Sequence, residues 1–232
     1  MLSMKGKAMK WASKDKCTSN MAMRFAIAAC IGVFSLFSSS ALAQFRVPEA
    51  VQLYTDDELV RLIRQNTHLQ RVRDIDDCQL YQDIQAQAEI ERRPTYQFLY
   101  GDMLAYAVCY ERDVALGVSY MEQAAQQGLP EALEQLGRYY HVGQLVQPDM
   151  RRAILYLREA ASLGNLPAQK RFAQILLNGH GSALDFEAAY HYLHNTVTAD
   201  TTEHREIQRL LNALEEKMPT RIVERARLPL NS

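Results

Sequence analysis

Apolar residues recur at helical spacing over most of the chain, and no alternating run that would indicate a β-strand is evident. Leu133, Leu136 and Tyr140 share one helix face in this way, and Phe172 and Leu176 share another. Such faces must be covered by neighbouring helices, because a single amphipathic helix cannot bury its own apolar stripe. The pattern therefore predicts an all-α protein built from packed helices.

The helical pattern itself repeats at a fixed interval of 36 residues. The segment YMEQAAQQGLPEALEQLGRYYHVG begins at Tyr120, and YLREAASLGNLPAQKRFAQILLNG begins at Tyr156. A period of this length is typical of helical-hairpin solenoids, in which stacked hairpins share one core. We expect repeats over residues 77–200, with units at about 96–131, 132–167 and 168–200. The repeated positions include Gly101 and Gly137; Gly128 and Gly164; Tyr120, Tyr156 and Tyr192; and Ala153 and Ala189.

Each unit divides into a first helix, A, and a second helix, B. Gly137 lies inside helix A, where glycine is unfavourable, so we expect a neighbouring helix backbone to press close there. Helix A should end at Gly143 in one unit, and Asp149 and Asp185 are the expected N-caps of helix B in two units. Helix B should end at Gly164.

Amphipathic helices flank the repeats on both sides. Residues 44–76 are expected to form an N-terminal arm followed by a helix, with Thr55 and Glu58 as a capping box. The arm itself, 44–54, is equally well explained as disorder. Residues 201–218 should form a capping helix that closes the solenoid, and the basic tail 219–232 fits a frayed end better than a docking peptide.

The first 43 residues have the pattern of a secretory signal peptide. An apolar core follows Arg24, and small residues end at Ala43, so cleavage is expected between Ala43 and Gln44. The natural start would then be Met21 or Met23. An uncleaved anchor and a lipoprotein modified at Cys30 are weaker alternatives.

Cleavage would change both the charge and the cysteine count. The basic residues would fall from 26 to 20 and the acidic residues from 27 to 26, so the net charge would be −6, which disfavours nucleic acid as a partner. Cys78 and Cys109 would be the two cysteines left, and an even number in an exported protein predicts a structural disulfide. A redox-active pair is disfavoured, because the spacing is not C-x-x-C.

Signals of catalysis or of a cofactor are weak, and the sequence predicts no catalytic residue, no metal ligand and no cofactor. His191 and His194 are three residues apart, with His180 before them, but a zinc site needs more ligands than this pattern provides. The series Tyr120, Tyr156 and Tyr192 is best explained as core packing. An alternative for other aromatics is that they are exposed and line a partner groove; these are Tyr96, Tyr100, Tyr139 and Tyr140.

The sequence pattern of the repeat resembles the Sel1-like repeat, a relative of the tetratricopeptide repeat. The resemblance rests on ALEQLGRYYHVG from Ala132 to Gly143 and on DMRRAILYLREAASLG from Asp149 to Gly164. It implies a solenoid of helical hairpins whose surface binds other proteins. The unit at 168–200 departs from the pattern, because Ala173 replaces the glycine of helix A and TVTAD replaces the Ala-Ala pair.

Over the whole mature chain, the sequence resembles the MotX family of periplasmic flagellar motor proteins. The resemblance includes CQLYQDIQAQAEIERRPTYQFLYGDMLAYAVCYERD at 78–113 and HVGQLVQPDMRRAILYLREAASLG at 141–164. It implies a non-enzymatic component of the T ring of a sodium-driven motor, present in many copies around the basal body. It also implies MotY and the periplasmic region of PomB, from the PomA/PomB stator, as partners, and it includes the two cysteines. The alternatives are a periplasmic adaptor that regulates a cell-envelope enzyme, and a metal-dependent enzyme that uses His180, His191 and His194.

Overall fold

A computed structural model describes residues 54–228, which form an all-α unit. No β-strand occurs among these residues, and no helix among them is long and apolar enough to cross a membrane. The expected cleavage point between Ala43 and Gln44 lies outside the described residues. The helices are α1 Asp56–Arg64, α2 His68–Gln70, α3 Tyr81–Glu89, α4 Pro94–Ala105, α5 Val114–Gln126, α6 Pro130–Val142, α7 Met150–Ser162, α8 Leu166–Leu177, α9 Ala183–His194, α10 Thr201–Glu215 and α11 Thr220–Ala226, with a π-helical turn, Arg71–Ile75, after α2.

Helices α4 to α9 form three consecutive hairpins. Helix A of each unit packs on its own helix B, as α4 on α5, α6 on α7 and α8 on α9, and each helix B packs on the next helix A. The hairpins begin at Pro94, Pro130 and Leu166, two residues before the starts that the sequence predicts. Proline suits the first turn of a helix, because its missing N–H has no partner there in any case.

The start of each helix B follows its capping residue. Asp113 and Asp149 are the N-caps of α5 and α7, and their carboxylates accept hydrogen bonds from backbone N–H groups of the first turn. The expectation for Asp185 is wrong. Helix α9 begins earlier, with Ser182 as the N-cap, and Asp185 completes a capping box from inside the helix.

Two glycines end helix B in the first two units. Gly128 and Gly164 have φ angles of +81° and +82°, a left-handed conformation that glycine adopts without strain. Open space surrounds both positions. Their role is therefore to reverse the chain between one hairpin and the next, rather than to allow a close approach.

The core is continuous along the hairpins. One buried cluster joins α4 through α11 and includes Ala153, Ala189 and Phe172, and a second cluster joins α1 through α4 and includes Leu59 and Ile84. Solenoids are stabilised by this kind of nearest-neighbour burial, because each hairpin covers the apolar face of the next.

The C-terminal residues close the stack. Helix α10 packs on α8 and α9, and α11 packs on α9. Val223 and Ala226 of α11 are buried, and Arg225 forms an ion pair with Glu187 of α9. The expectation of a frayed end is therefore wrong for residues 220–226, where two apolar contacts and a charged contact hold the short helix in place.

Candidate interaction groove

The N-terminal helices lie against the A helices of the first two units. Helix α1 contacts α4 and α6, and α2 contacts α4. At one end of α1, the Asp56 carboxylate accepts hydrogen bonds from Thr95 and, at 2.6 Å, from Arg93. At the other end, Arg64 Nε lies 2.8 Å from Glu131 Oε1, at the start of α6. The chain therefore covers part of its own helix-A surface with a helix from outside the repeats.

A buried histidine and aspartate form the second contact between these parts. His68 Nε2 lies 2.7 Å from Asp102 Oδ2 of α4, and both side chains are almost fully buried. The His68 ring also packs against Phe98, with ring centroids 5.7 Å apart. The other polar atoms of the pair, His68 Nδ1 and Asp102 Oδ1, are buried without a hydrogen-bond partner in the described part of the chain. Each side chain therefore depends on the other for its stability.

The surface beyond the end of α1 is open. A groove of about 490 Å³ runs from Arg64 along α6 to the turn that starts α8. The groove is lined by residues from the end of α1, from α6 and from the turn that leads into α8. These residues are Ile63, Arg64, Asn66, Glu131, Glu134, Gln135, Arg138, Gly164, Asn165, Leu166 and Pro167.

Three charged residues of this groove, Glu131, Glu134 and Arg138, lie on one face of α6, because they are spaced three or four residues apart. His141 follows them on the same helix face, outside the groove. Burial raises the pKa of the Glu134 carboxyl above its usual range, although Arg138 and Arg171 oppose that rise. Burial also lowers the pKa of His141, and Arg171 and His180 lower it further. The main cause of both pKa shifts is therefore burial, and the nearby arginines are a secondary influence.

Arg138 is held by neutral groups. Its guanidinium donates to Gln135 Oε1 at 2.6 Å and to Gln144 Oε1 at 3.0 Å, and it lies over the Tyr139 ring at 4.8 Å from the centroid. Within residues 54–228, no carboxylate lies within 4.0 Å of it. A guanidinium has five N–H donors, and these two bonds use two of them. Arg138 therefore presents a fixed positive charge to the groove.

The aromatic groove considered as an alternative is wrong. Tyr96, Tyr100, Tyr139 and Tyr140 are buried, with exposed fractions of 5% or less. Sequence reasoning misplaced them because a tyrosine tolerates both a core and a surface position. Its hydroxyl finds a partner inside the protein, as between Tyr139 and Tyr106, whose hydroxyls are 2.7 Å apart.

The tyrosines of the 36-residue series are half-buried and pack against the two core clusters. Tyr120 contacts Tyr100 edge to face, and Tyr156 stacks parallel to Tyr140 with ring centroids 5.8 Å apart. Tyr192 packs against the main core cluster from α9. The three tyrosines thus lie at the rim of the core.

The histidines considered as ligands lie in ordinary packing contacts. His191 Nδ1 lies 2.9 Å from the carbonyl oxygen of Ala226, and the His194 ring packs against Tyr190. No group of three or more His, Cys, Asp or Glu side chains in the described part of the chain has the arrangement of a metal site.

A disulfide joins Cys78 to Cys109, with the Cα atoms 5.6 Å apart. It ties the segment after the π-helical turn to the turn that follows α4. Together with His68 and Asp102, it fixes the N-terminal segment to the first hairpin.

Sequence reasoning missed the residues that build the groove. The signal was present at the position shared by Asp102, Arg138 and Gln174, which lie 36 residues apart on the A helices. A position that changes its charge from unit to unit, while its neighbours keep the repeat pattern, is not used for packing between repeats. A comparison of the units at their polar positions, instead of at their apolar ones, would have identified the position of Asp102, Arg138 and Gln174 as a candidate surface site.

Comparisons with known proteins agree with the repeat architecture. The Sel1 repeat model matches residues 94–129, 130–165 and 166–195. The chain is 54% identical over 177 residues to the sodium-type polar flagellar protein MotX of Vibrio parahaemolyticus, and the match covers 76% of this chain and 83% of that protein.

Two further matches are weaker. An uncharacterized protein of Neisseria meningitidis is 44% identical over 55 residues, which is 24% of this chain and 12% of that protein. The crystal structure of a Sel1 repeat protein from Oxalobacter formigenes has a TM-score of 0.49 and 22% identity, and it covers 59% of this chain and 98% of that one.

Proposed function

The chain belongs to the MotX family of Sel1-repeat proteins, and from this membership we propose that it is a structural, non-enzymatic component of the sodium-type polar flagellar motor. More specifically, we propose that it acts in the periplasm, within the T ring. There it would hold the PomA/PomB stator units in place together with MotY. The observation that carries the proposal is the 54% identity to a MotX protein over 83% of that protein's length.

The fold suits a mechanical role. A stator unit must resist the torque that it applies to the rotor, so it needs a support that does not yield. Here α1 to α11 share continuous buried contacts, and a disulfide and the buried hydrogen bond between His68 and Asp102 fix the N-terminal segment to the first hairpin. A stack of this kind transmits force through packed side chains, because a packed core has low compressibility.

Two features support a location outside the cytoplasm. Residues 1–43 have the pattern of an export signal, and a disulfide is stable in an oxidising compartment. A partner in this compartment would be the periplasmic region of PomB, which would contact the exposed helix surface of the chain.

The decisive experiment is a clean deletion strain, in which swimming is measured and fluorescent stator units are imaged at the flagellated pole. We expect swimming to stop while flagella remain, and stator units to leave the pole. Expression of the intact chain should restore both. If cells without the chain swim and keep their stators at the pole, the proposed function is wrong. A periplasmic adaptor of a cell-envelope enzyme would then be the remaining explanation.

A further inference from the structure

The last long helix of the stack has a basic outer face. Arg205 and Arg209 of α10 are exposed and lie one turn apart, on the side opposite the buried residues of this helix. With His204 they line a shallow depression of about 530 Å³. Like charges at this spacing repel each other, so the stability of the helix does not explain the pair.

Neither arginine is neutralised within the described part of the chain. The two carboxylates nearest in sequence, Glu203 and Glu206, bind Lys170 of α8 instead, at 2.6 and 2.8 Å. Arg205 donates to the oxygens of neutral groups in the first turn of α10, and neither guanidinium forms an ion pair with residues 54–228. The outer face of α10 therefore presents two free positive charges.

The opposite end of the stack is acidic. Helix α3 is the first layer, because it packs on α4, whereas α1 and α2 lie along the A helices. Residues 77–92, which include α3, have a single basic residue, Arg92, and four acidic residues: Asp77, Asp83, Glu89 and Glu91. None of these four carboxylates forms an ion pair with residues 54–228. Glu89 lies opposite the buried side of α3, and it accepts hydrogen bonds from neutral groups alone in this part of the chain.

Each end also leaves a large apolar side chain open to solvent. Ile90, within the acidic segment, is 74% exposed, and Val197, in the turn that leads into α10, is 97% exposed. The two turns are equivalent, since each leads from a helix B position into the next helix A position. Burial of such side chains would add an apolar contribution to a contact whose exposed ion pairs alone are worth little.

The charges of the two ends complement each other. A contact between two α10 faces would bring arginines together, and a contact between two α3 ends would bring carboxylates together, so both are disfavoured. A contact between the α10 face of one copy and the α3 end of another brings opposite charges together. Because such a contact uses a different surface on each copy, it is heterologous, and its repetition produces a ring where the rotation closes.

We propose that the basic outer face of α10 binds the acidic α3 end of a second copy of this chain, so that copies associate head to tail. Arg205 and Arg209 face Glu89 and Glu91 across this contact. The proposal rests on the proposed function only for the place of such an assembly, which is a ring of copies in the motor. The contact itself needs no other protein.

The test is the oligomeric state of the full chain, purified in its oxidised form and measured by sedimentation velocity over a series of concentrations. One variant, Arg205→Glu/Arg209→Glu, makes both ends acidic. The other, Glu89→Lys/Glu91→Lys, makes both ends basic. Each variant alone therefore brings like charges together, but a mixture of the two restores opposite charges at every contact.

The matched control is Arg61→Glu/Arg151→Glu. Both arginines are exposed, on α1 and α7, away from the two ends, and their reversal changes the net charge as much as the α10 variant does. Circular dichroism and thermal melting of all the variants show whether they keep the fold. All the substituted positions are exposed, which favours this outcome.

We expect the average mass of the intact chain to rise with concentration, and each end variant to weaken self-association at least about tenfold, because like charges placed opposite each other are costly. The mixture and the control should stay within about twofold of the intact chain. Raising the salt from about 0.1 to about 1 M should weaken the association, since it shortens the screening length from about 10 to about 3 Å.

An intact chain that remains a monomer at every concentration would overturn the proposal. Self-association that neither end variant weakens, or that the mixture does not restore, would show that copies meet through other surfaces and would overturn it too. These outcomes leave the proposed function standing, because the stator imaging in the deletion strain decides it separately.

Discussion

Gly101 of α4 and Gly117 of α5 lie backbone to backbone where the two helices cross. A Cβ atom added to Gly117 would lie 2.5 Å from the Gly101 carbonyl oxygen and 2.9 Å from the backbone nitrogen of Ala105. Neither backbone can move away without separating the two helices. The first hairpin therefore depends on the absence of a side chain at both positions.

We expect Gly117→Ala to lower the free energy of unfolding by about 3 kcal/mol, because overpacking a rigid contact typically costs 1–3 kcal/mol. Gly137→Ala should cost less, because the atoms nearest to its Cβ would belong to the Leu157 side chain, and the nearest backbone atom, Leu157 N, would lie at 3.2 Å. Urea unfolding of both variants measures the difference. Equal costs would contradict the assignment of the crossing to a backbone contact.

The disulfide gives a second prediction on stability. Reduction of the Cys78–Cys109 bond releases a loop with a sequence separation of 31 residues. We expect a loss of about 3 kcal/mol, since a cross-link of this length mainly restricts the unfolded chain.

The measurement is the melting temperature of the intact chain with and without reductant, with Cys78→Ala/Cys109→Ala as the control. The control should have the melting temperature of the reduced intact chain, and the reductant should not change it. If full reduction leaves the melting temperature unchanged, the bond does not stabilise the N-terminal segment.

The repeat could be predicted from the sequence because its causes are local. Apolar residues at helical spacing, a proline at the start of a helix and a glycine after its end each act within a few residues, so they specify the hairpins without knowledge of the whole fold. Close packing at the glycines of helix A was also predictable, because glycine inside a helix needs a packing reason. The expected backbone neighbour is the nearest group at Gly101, whereas at Gly137 the nearest group is the Leu157 side chain.

The groove could not be predicted in the same way. It exists because α1 and α2 fold back on α4 and α6, and nothing in the local pattern of residues 55–76 specifies that direction. His68 meets Asp102 across 34 residues, and Arg64 meets Glu131 across 67. The burial of the tyrosines was missed for a related reason, since the Tyr139 hydroxyl is satisfied partly by a group distant in the sequence, the hydroxyl of Tyr106, and partly by the Gln135 amide of the same helix.

A pH dependence follows from two histidines whose pKa values are lowered. Burial lowers the pKa of His141, helped by Arg171 and His180, and burial lowers the pKa of His194, helped by Arg227 and His191. In the unfolded chain these two imidazoles have the ordinary histidine pKa of about 6.5. They therefore bind more protons in the unfolded chain than in the folded chain once the pH falls below about 7.5. The free energy of unfolding should therefore fall between pH 7.5 and 5.5.

The variant His141→Gln/His194→Gln should show a flatter dependence over this range, measured as the urea midpoint at several pH values. His204→Gln, at an exposed position of α10, is the control and should follow the intact chain. Glu134, whose pKa is raised, acts in the opposite direction but is common to all these proteins. A double variant with the same slope as the intact chain would show that other groups control the effect.

The buried pair of His68 and Asp102 gives the last prediction. Asp102→Ala removes the partner of a histidine that is only 3% exposed, so we expect a loss of about 3 kcal/mol in the free energy of unfolding. Asp102→Asn keeps an acceptor near His68 Nε2 and should lose less.

The double variant His68→Leu/Asp102→Leu distinguishes pairing from simple packing. Replacing a buried polar pair with apolar side chains of similar size is often neutral, so the double variant should be more stable than Asp102→Ala. Urea unfolding of all three variants, with the disulfide intact, supplies the comparison. If Asp102→Ala costs less than about 1 kcal/mol, the pair does not hold α2 on α4. The covering of the first unit would then rest on Leu59, the disulfide and the contacts of Asp56.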